Sequence, residues 1–217
     1  MKRSVDWGLY LVTDRRLAGP RSLEELVRAA VRGGVTAVQL REKACSTREF
    51  VELARRLKAI LAPAGIPLII NDRVDVALAA RADGVHIGRS DIDYRDARAL
   101  LGEDAIVGLS VETTAQAGEA ESLDADYLGV SPIFPTPTKT DTAADWGVEG
   151  LAALRKASRH VLVAIGGINA ANAAEVMNAG ADGIAVVSAI CAARDPEEAA
   201  RQLHLVVDET RKRRRKI

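Results

Sequence analysis

The sequence has little of several features that point to particular classes of protein. Among 217 residues there are only two cysteines, Cys45 and Cys191, which lie far apart and lack the spacing of metal ligands. A disulfide framework is therefore not predicted. Reduced thiols in a cytoplasmic protein are expected instead.

Long apolar runs are also missing. No segment approaches the ~18 consecutive apolar residues of a membrane-spanning helix. The amino-terminal apolar stretch covers only residues 9–12 and is closed by Asp14, which is too short for a secretory signal. Net charge is zero, with 30 basic and 30 acidic residues, so charge does not favour nucleic acid or an anionic membrane. We expect a protein that binds neither.

Several catalytic motifs and domain linkers are missing as well. The sequence has no Ser-His-Asp or Cys-His pattern, and no Walker or dinucleotide fingerprint in the required strand-turn-helix context, which argues against hydrolase, kinase and dehydrogenase chemistry. No Pro/Ser/Gly-rich linker divides the chain, so one domain is predicted over residues 1–210. The basic tail, 211–217, is expected to be a frayed helix end; an arm that touches nucleic acid is the alternative.

Eight short apolar runs, each followed by a helical stretch, are the main positive feature. They lack clean polar alternation, which is typical of parallel strands covered on both faces. Eight strand-helix units in roughly 200 residues predict an α/β fold, a single (β/α)8 TIM barrel whose active site lies in the loops after the strands. The runs cover residues 9–14, 37–41, 67–72, 84–88, 106–110, 127–131, 161–167 and 183–188.

Helix starts support this pattern. Ser22 to Glu25 and Ser46 to Glu49 are capping boxes, and Asp195-Pro196 is a typical start for a last helix. Weaker helices are predicted at 73–81, 93–101, 113–122, 149–157 and 169–179.

A cationic group follows the second run. Gln39, Arg41 and Lys43 alternate along the chain, so an extended backbone turns them to one side and Glu42 to the other. Two cations and an amide suit a phosphate or diphosphate. A salt-bridge cluster at the strand end is the alternative.

Two aspartates end neighbouring runs. Asp72 follows the third run and Asp91 the fourth, so in a barrel they could share a magnesium ion with substrate phosphate. The alternatives are that Asp91 caps a helix and that Asp72 pairs with Arg73. His86 has no second histidine nearby and is predicted to be an interior, hydrogen-bonded side chain.

The other candidate residues lie in later loops. The long connection 132–147 contains Thr136-Pro137-Thr138-Lys139, a candidate lid over phosphate; a solvated surface loop is the alternative. Gly166-Gly167 and Val187-Ser188 follow the seventh and eighth runs, where barrels commonly bind phosphate through backbone amides, although a glycine turn alone would look the same. Ser110 could donate a hydrogen bond to a substrate or simply cap a helix.

In their order, these segments resemble the thiamine phosphate synthase family over about residues 9–205. The strings that carry the resemblance are Tyr10-Leu11-Val12-Thr13-Asp14, Gln39-Leu40-Arg41-Glu42-Lys43, Asn71-Asp72-Arg73, Gly84-Val85-His86-Ile87-Gly88, Thr136-Pro137-Thr138-Lys139 and Ala164-Ile165-Gly166-Gly167-Ile168. The resemblance implies a reaction that joins hydroxymethylpyrimidine diphosphate to a thiazole phosphate, forms thiamine phosphate and releases diphosphate. The substitution is expected to be dissociative and assisted by magnesium.

The resemblance also implies roles for individual residues. Arg41, Lys43, Ser110 and Lys139 are the expected catalytic residues, and Asp72 and Asp91 the magnesium ligands. The expected pyrimidine diphosphate contacts are Gln39, Arg41, Lys43, Asn71, Ser110 and Lys139, and those to the thiazole phosphate are Thr136, Thr138, Gly167, Val187 and Ser188. Leu40, Glu42 and Pro137 complete the expected substrate-binding set.

Three positions depart from the family pattern: Arg89 stands where Gln is frequent, Ser131 where Gly is frequent, and Val111-Glu112 where a His is common. A thiazole tautomerase of the same barrel type and a non-catalytic phosphometabolite-binding regulator are the alternative functions. The expected partners are small phosphorylated pyrimidine and thiazole substrates, and a homo-oligomer is a further possibility.

Overall fold

Eight parallel strands close into a TIM barrel in a computed structural model that describes residues 4–136 and 145–214. The strands follow one another around the barrel in chain order, and Leu9 to Leu11 of the first pair with Ile184 to Val186 of the last. The strands are β1 (Leu9–Val12), β2 (Ala37–Leu40), β3 (Leu68–Asn71), β4 (Gly84–Ile87), β5 (Ile106–Val111), β6 (Tyr127–Val130), β7 (Leu162–Ile165) and β8 (Gly183–Val186). The predicted fold class is confirmed.

Helices cover the outside of the strands. Both predicted capping boxes are present, because Ser22 and Ser46 each accept the backbone N–H of the glutamate three residues later. The helices are α1 (Leu23–Arg32), α2 (Thr47–Leu61), α3 (Val74–Ala80), α4 (Tyr94–Leu101), α5 (Thr114–Ala120), α6 (Gly147–Ala157), α7 (Ala173–Asn178), α8 (Ser188–Cys191) and α9 (Pro196–Arg214). A short 3-10 turn, Ala62–Ala64, follows α2.

Alternation along the strands divides the apolar residues into two clusters. Leu9, Leu11 and Leu40 belong to the larger cluster, between strands and helices. Tyr10 and Tyr127 belong to a smaller cluster that the strands enclose. Since successive side chains of a strand point to opposite faces, the second cluster fills the barrel interior.

A recurring hydrogen bond fixes the amino-terminal end of the barrel. The aspartate directly before β4, β6 or β8 accepts a backbone N–H at the start of the strand before it, which is β3, β5 or β7. Each aspartate also pairs with a cation from the helix that precedes β3, β5 or β7. The three sets are Leu68, Asp83 and Lys58; Val107, Asp126 and Arg98; and Leu162, Asp182 and Arg155. In β1 a hydroxyl replaces the carboxylate, because Leu9 N–H donates to Thr36 Oγ1 at 3.0 Å. The repeat holds the strand ends opposite the predicted active site.

The described part of the basic tail continues the last helix and contacts the barrel. Helix α9 continues to Arg214, and Arg214 donates to the carbonyl oxygens of Met177 (3.1 Å) and Ala181 (2.8 Å). Arg211 contacts Asp6 (2.6 Å) and the carbonyl of Asp182. Two arginines of this segment thus bind backbone carbonyls at the barrel's amino-terminal end. The frayed end expected for 211–217 stays a prediction.

Within 4–136 and 145–214, no helix combines the length and apolar character needed to cross a bilayer.

Candidate functional site

A cavity of about 610 Å³ opens at the carboxyl ends of the strands. Every strand or the loop after it contributes to the lining, as the closed parallel barrel requires. The sequence-predicted residues on its wall are Gln39, Arg41, Lys43, Asn71, Asp72, Asp91, Ser110, Thr136, Gly167, Val187 and Ser188. The predicted residues Pro137, Thr138 and Lys139 lie outside the described residues.

The cationic side of the cavity comes from the end of β2. Gln39, Arg41 and Lys43 all face the cavity, as the alternation predicted. Arg41 is anchored by its backbone N–H, which donates to Thr13 Oγ1 at 3.1 Å. Lys43 Nζ lies 3.1 Å from Asp72 Oδ2, but more than half of the Lys43 side chain is exposed. An exposed ion pair of this kind is weak, so a phosphate can compete for the ammonium group.

Two residues of the same string do not face the cavity. Leu40 is fully buried among the helices. Glu42, whose side chain is only 5% exposed, pairs with Arg15 at 3.1 Å. The alternation that turns Arg41 inward turns these two side chains outward, and their expected part in substrate binding stays a prediction.

The two aspartates meet on the cavity wall beside Lys43. Asp91 Oδ2 accepts the Gly88 backbone N–H at 2.7 Å. Burial raises the pKa of the Asp91 carboxyl, and the neighbouring negative charge of Asp72 raises it further. A cation would relieve this repulsion, and carboxylate oxygens are the ligands that magnesium prefers. The donor set therefore fits a magnesium ion.

Neither alternative role is observed: Asp91 does not cap α4, and Asp72 does not pair with Arg73. Helix α4 is capped by Asp93, which accepts the Arg95 N–H at 2.8 Å. Arg73 pairs with Asp75, not with Asp72. Among the described residues no group of three or more His, Cys, Asp or Glu side chains is placed to hold a metal. Water and substrate oxygens would have to complete a shell around the pair, as is usual for magnesium.

The opposite side of the cavity is built from glycine backbone. Gly166 and Gly167 both have positive φ, 108° and 66°. A Cβ on Gly167 would lie 2.7 Å from Phe134 Cβ, so a side chain is excluded there by space as well as by backbone conformation. Val187 and Ser188, at the start of α8, line the same cavity. The glycine turn is thus part of the cavity wall.

A chain of buried and half-buried hydrogen bonds crosses the floor of the cavity from β2 to β5. We call Gln39, Tyr10, Tyr127, His86 and Ser110 the floor chain. The bonds join Gln39 Nε2 to Tyr10 Oη (3.0 Å), Tyr10 Oη to Tyr127 Oη (2.9 Å), Tyr127 Oη to His86 Nδ1 (2.9 Å) and His86 Nε2 to Ser110 Oγ (2.8 Å). Burial raises the pKa of both tyrosines, so their hydroxyls keep their protons.

The sequence indicated only part of this chain. The interior, hydrogen-bonded environment of His86 is confirmed. Tyr10 and Tyr127 were not predicted as site residues, because a tyrosine inside a strand is also an ordinary packing residue. The inward face of Tyr10 could have been read from its alternation with Leu9 and Leu11. The positions that depart from the family pattern, Arg89, Glu112 and Ser131, also line the cavity.

Comparison with known proteins decides the family. A family model described as thiamine monophosphate synthase matches residues 9–190. The chain belongs to this family. A thiamine-phosphate synthase from Albidiferax ferrireducens is 58% identical over 200 residues, covering 92% of this chain and 91% of the relative. One from Chloroflexus aurantiacus is 53% identical over 209 residues and 96% of each chain.

A solved structure supports the same assignment. The thiamine phosphate pyrophosphorylase from Pyrococcus furiosus has a TM-score of 0.87 and 41% identity to this chain, and the match covers 94% of this chain and 97% of that one. The resemblance found in the sequence is therefore confirmed, and membership of the thiamine-phosphate synthase family makes the chain a transferase.

Proposed function

We propose that this enzyme joins hydroxymethylpyrimidine diphosphate to a thiazole phosphate and releases diphosphate, by a dissociative substitution that magnesium assists. One observation carries the proposal: a cation and carboxylate wall faces a glycine-backbone wall across a single cavity. The first wall suits a diphosphate with a metal ion, and the second suits a monophosphate. A donor and an acceptor that each carry phosphate require such a pair.

The cationic wall would hold the leaving group. Arg41 and Lys43 can bind diphosphate oxygens and neutralise the charge that develops on them as the carbon-oxygen bond breaks. Asp72 and Asp91 would hold magnesium, which when bound supplies further positive charge to the same oxygens.

The other wall would hold the acceptor. Gly167, where Phe134 leaves no room for a side chain, lines this wall, and its backbone N–H and the Ser188 hydroxyl can donate to a phosphate. Thr136 also lines the cavity. The acceptor nitrogen attacks a cationic carbon, so no side chain has to remove a proton in that step.

Cell location and partners form part of the proposal. We place the enzyme in the cytoplasm, with free thiols at Cys45 and Cys191 and small phosphorylated molecules as its partners. Burial raises the pKa of the Cys191 thiol to about 11, so this thiol is unreactive.

The test is a reaction with purified protein, magnesium and both phosphorylated precursors, in which diphosphate and thiamine phosphate are measured separately. The proposal expects equal amounts of both products, and no turnover without magnesium or without the thiazole phosphate. Lys43→Ala should lower the rate strongly, while the matched control Lys156→Ala, an exposed lysine of α6, should not. Conversion of a thiazole phosphate without any diphosphate release would instead indicate a tautomerase.

A further inference from the structure

In the floor chain each hydroxyl carries one proton, and so does a neutral imidazole. The donors can therefore all face one end of the chain or all face the other. Gln39 decides which, because its Nε2 amide can only donate. Tyr10 then accepts from Gln39 and gives its own proton to Tyr127.

The direction reaches the ligand cavity through the imidazole. Because Tyr127 accepts from Tyr10, its own hydroxyl donates to His86 Nδ1. Nδ1 is then an acceptor, and the proton of the neutral imidazole is on Nε2. Nε2 then donates to Ser110 Oγ, whose own proton remains available. We propose that His86 is a positioning residue, held as the Nε2–H tautomer by Gln39 through the two tyrosines, and that it makes Ser110 a hydrogen-bond donor toward the cavity.

Packing around the floor chain keeps the imidazole of His86 in this orientation. The His86 ring stacks on Tyr127 with an interplanar angle of 23°. A Cβ on Gly129 would lie 2.9 Å from His86 Cε1, and one on Gly108 would lie 2.1 Å from Tyr127 Cζ. Both glycines therefore leave room for rings that side chains would displace.

The inference makes the proposed function more specific and rests on it for the identity of the ligand. A Ser110 that donates selects an acceptor, such as a phosphate oxygen or an unprotonated ring nitrogen, over a group that carries only N–H or O–H donors. With the opposite direction, Ser110 would give its proton to His86 and would accept from the ligand. The two directions thus predict different ligand groups at the same hydroxyl.

Nitrogen NMR of the imidazoles tests the direction without any substrate. We would record spectra at about pH 8, where an ordinary histidine with a pKa of ~6.5 is neutral. His86, assigned by its loss in a His86→Gln variant, is expected as the Nε2–H tautomer. A His86 signal with the proton on Nδ1 would overturn the proposal, even if the enzyme makes thiamine phosphate.

The role of Gln39 is tested in the same spectra. Gln39→Leu keeps the volume and removes the donor, so both tautomers of His86 should appear. His160, whose ring nitrogens face the carbonyls of Ala125 and Ala120, is an internal control that should not change. A variant that keeps only the Nε2–H form would show that Gln39 does not set the direction.

Kinetics of two His86 variants test the link to Ser110. A glutamine amide can take the place of the Nε2–H donor, whereas an asparagine amide is placed like Nδ1 and cannot reach Ser110. His86→Gln should therefore recover about tenfold more kcat/KM for the pyrimidine substrate than His86→Asn, through a lower KM. Equal values for the two variants would contradict the positioning role. Failure of the wild-type enzyme to form product would contradict the proposed function and leave the tautomer result unaffected.

Discussion

Asp126→Asn is expected to destabilise the barrel without changing its chemistry. Asp126 Oδ2 accepts from Val107 N–H and from Arg98 Nη2, each at 2.8 Å, and the Arg98 and Asp126 side chains are only 11% and 17% exposed. The asparagine keeps the volume and can still accept one bond, but Arg98 loses its counter-charge. Loss of a hydrogen bond to a charged group in this setting costs about 2 kcal/mol.

The assay is thermal unfolding, with steady-state kinetics at low temperature. For a chain of this length, about 2 kcal/mol lowers Tm by about 6 °C. Asp182→Asn should cost about half as much, because Asp182 is 40% exposed and solvent screens its pair with Arg155. Asp104→Asn, at an exposed turn before β5, is the control and should leave Tm unchanged. The reasoning is refuted if Asp182→Asn lowers Tm as much as Asp126→Asn does, or if kcat/KM falls with Tm.

Three predictions concern the cavity. Asp72→Asn should lose most magnesium-dependent turnover because one of two carboxylates is gone, whereas Asp104→Asn should titrate with magnesium like the wild type; retained metal dependence would remove Asp72 from the site. Ser188→Ala should raise KM for the thiazole phosphate several-fold at nearly constant kcat, and a change in the pyrimidine KM alone would contradict the assignment. Gly167→Ala should weaken the same substrate further, because its Cβ would meet Phe134 Cβ at 2.7 Å; calorimetric binding of thiazole phosphate as tight as the wild type's would disprove this.

Much of the barrel could be predicted from the sequence, because its signals are local. Apolar runs without alternation predicted strands covered on both faces, and Ser22 and Ser46 marked two helix starts directly. The observed α7 begins at Ala173, several residues after the predicted start at 169, since Asn169 and Asn172 hydrogen-bond in a preceding turn. Such turns compete locally with helix and blur a boundary.

The cavity was predictable where alternation and strand ends decide the direction of a side chain. That logic placed Gln39, Arg41 and Lys43 on one wall and turned Glu42 away. It could not predict the floor chain, since bonds between residues such as Tyr10 and Tyr127 depend on which strands face each other across the barrel. The contacts of the tail could not be predicted for the same reason, because the carbonyls that Arg214 binds are distant in sequence.

The most direct test of the central claim is a crystal structure of the enzyme with magnesium, diphosphate and thiamine phosphate. The two-walled cavity predicts diphosphate on Arg41 and Lys43, the metal ion between Asp72 and Asp91, and the phosphate of the product beside Gly167 and Ser188. Binding of both phosphate groups on the same wall, or a metal ion away from both aspartates, would contradict it.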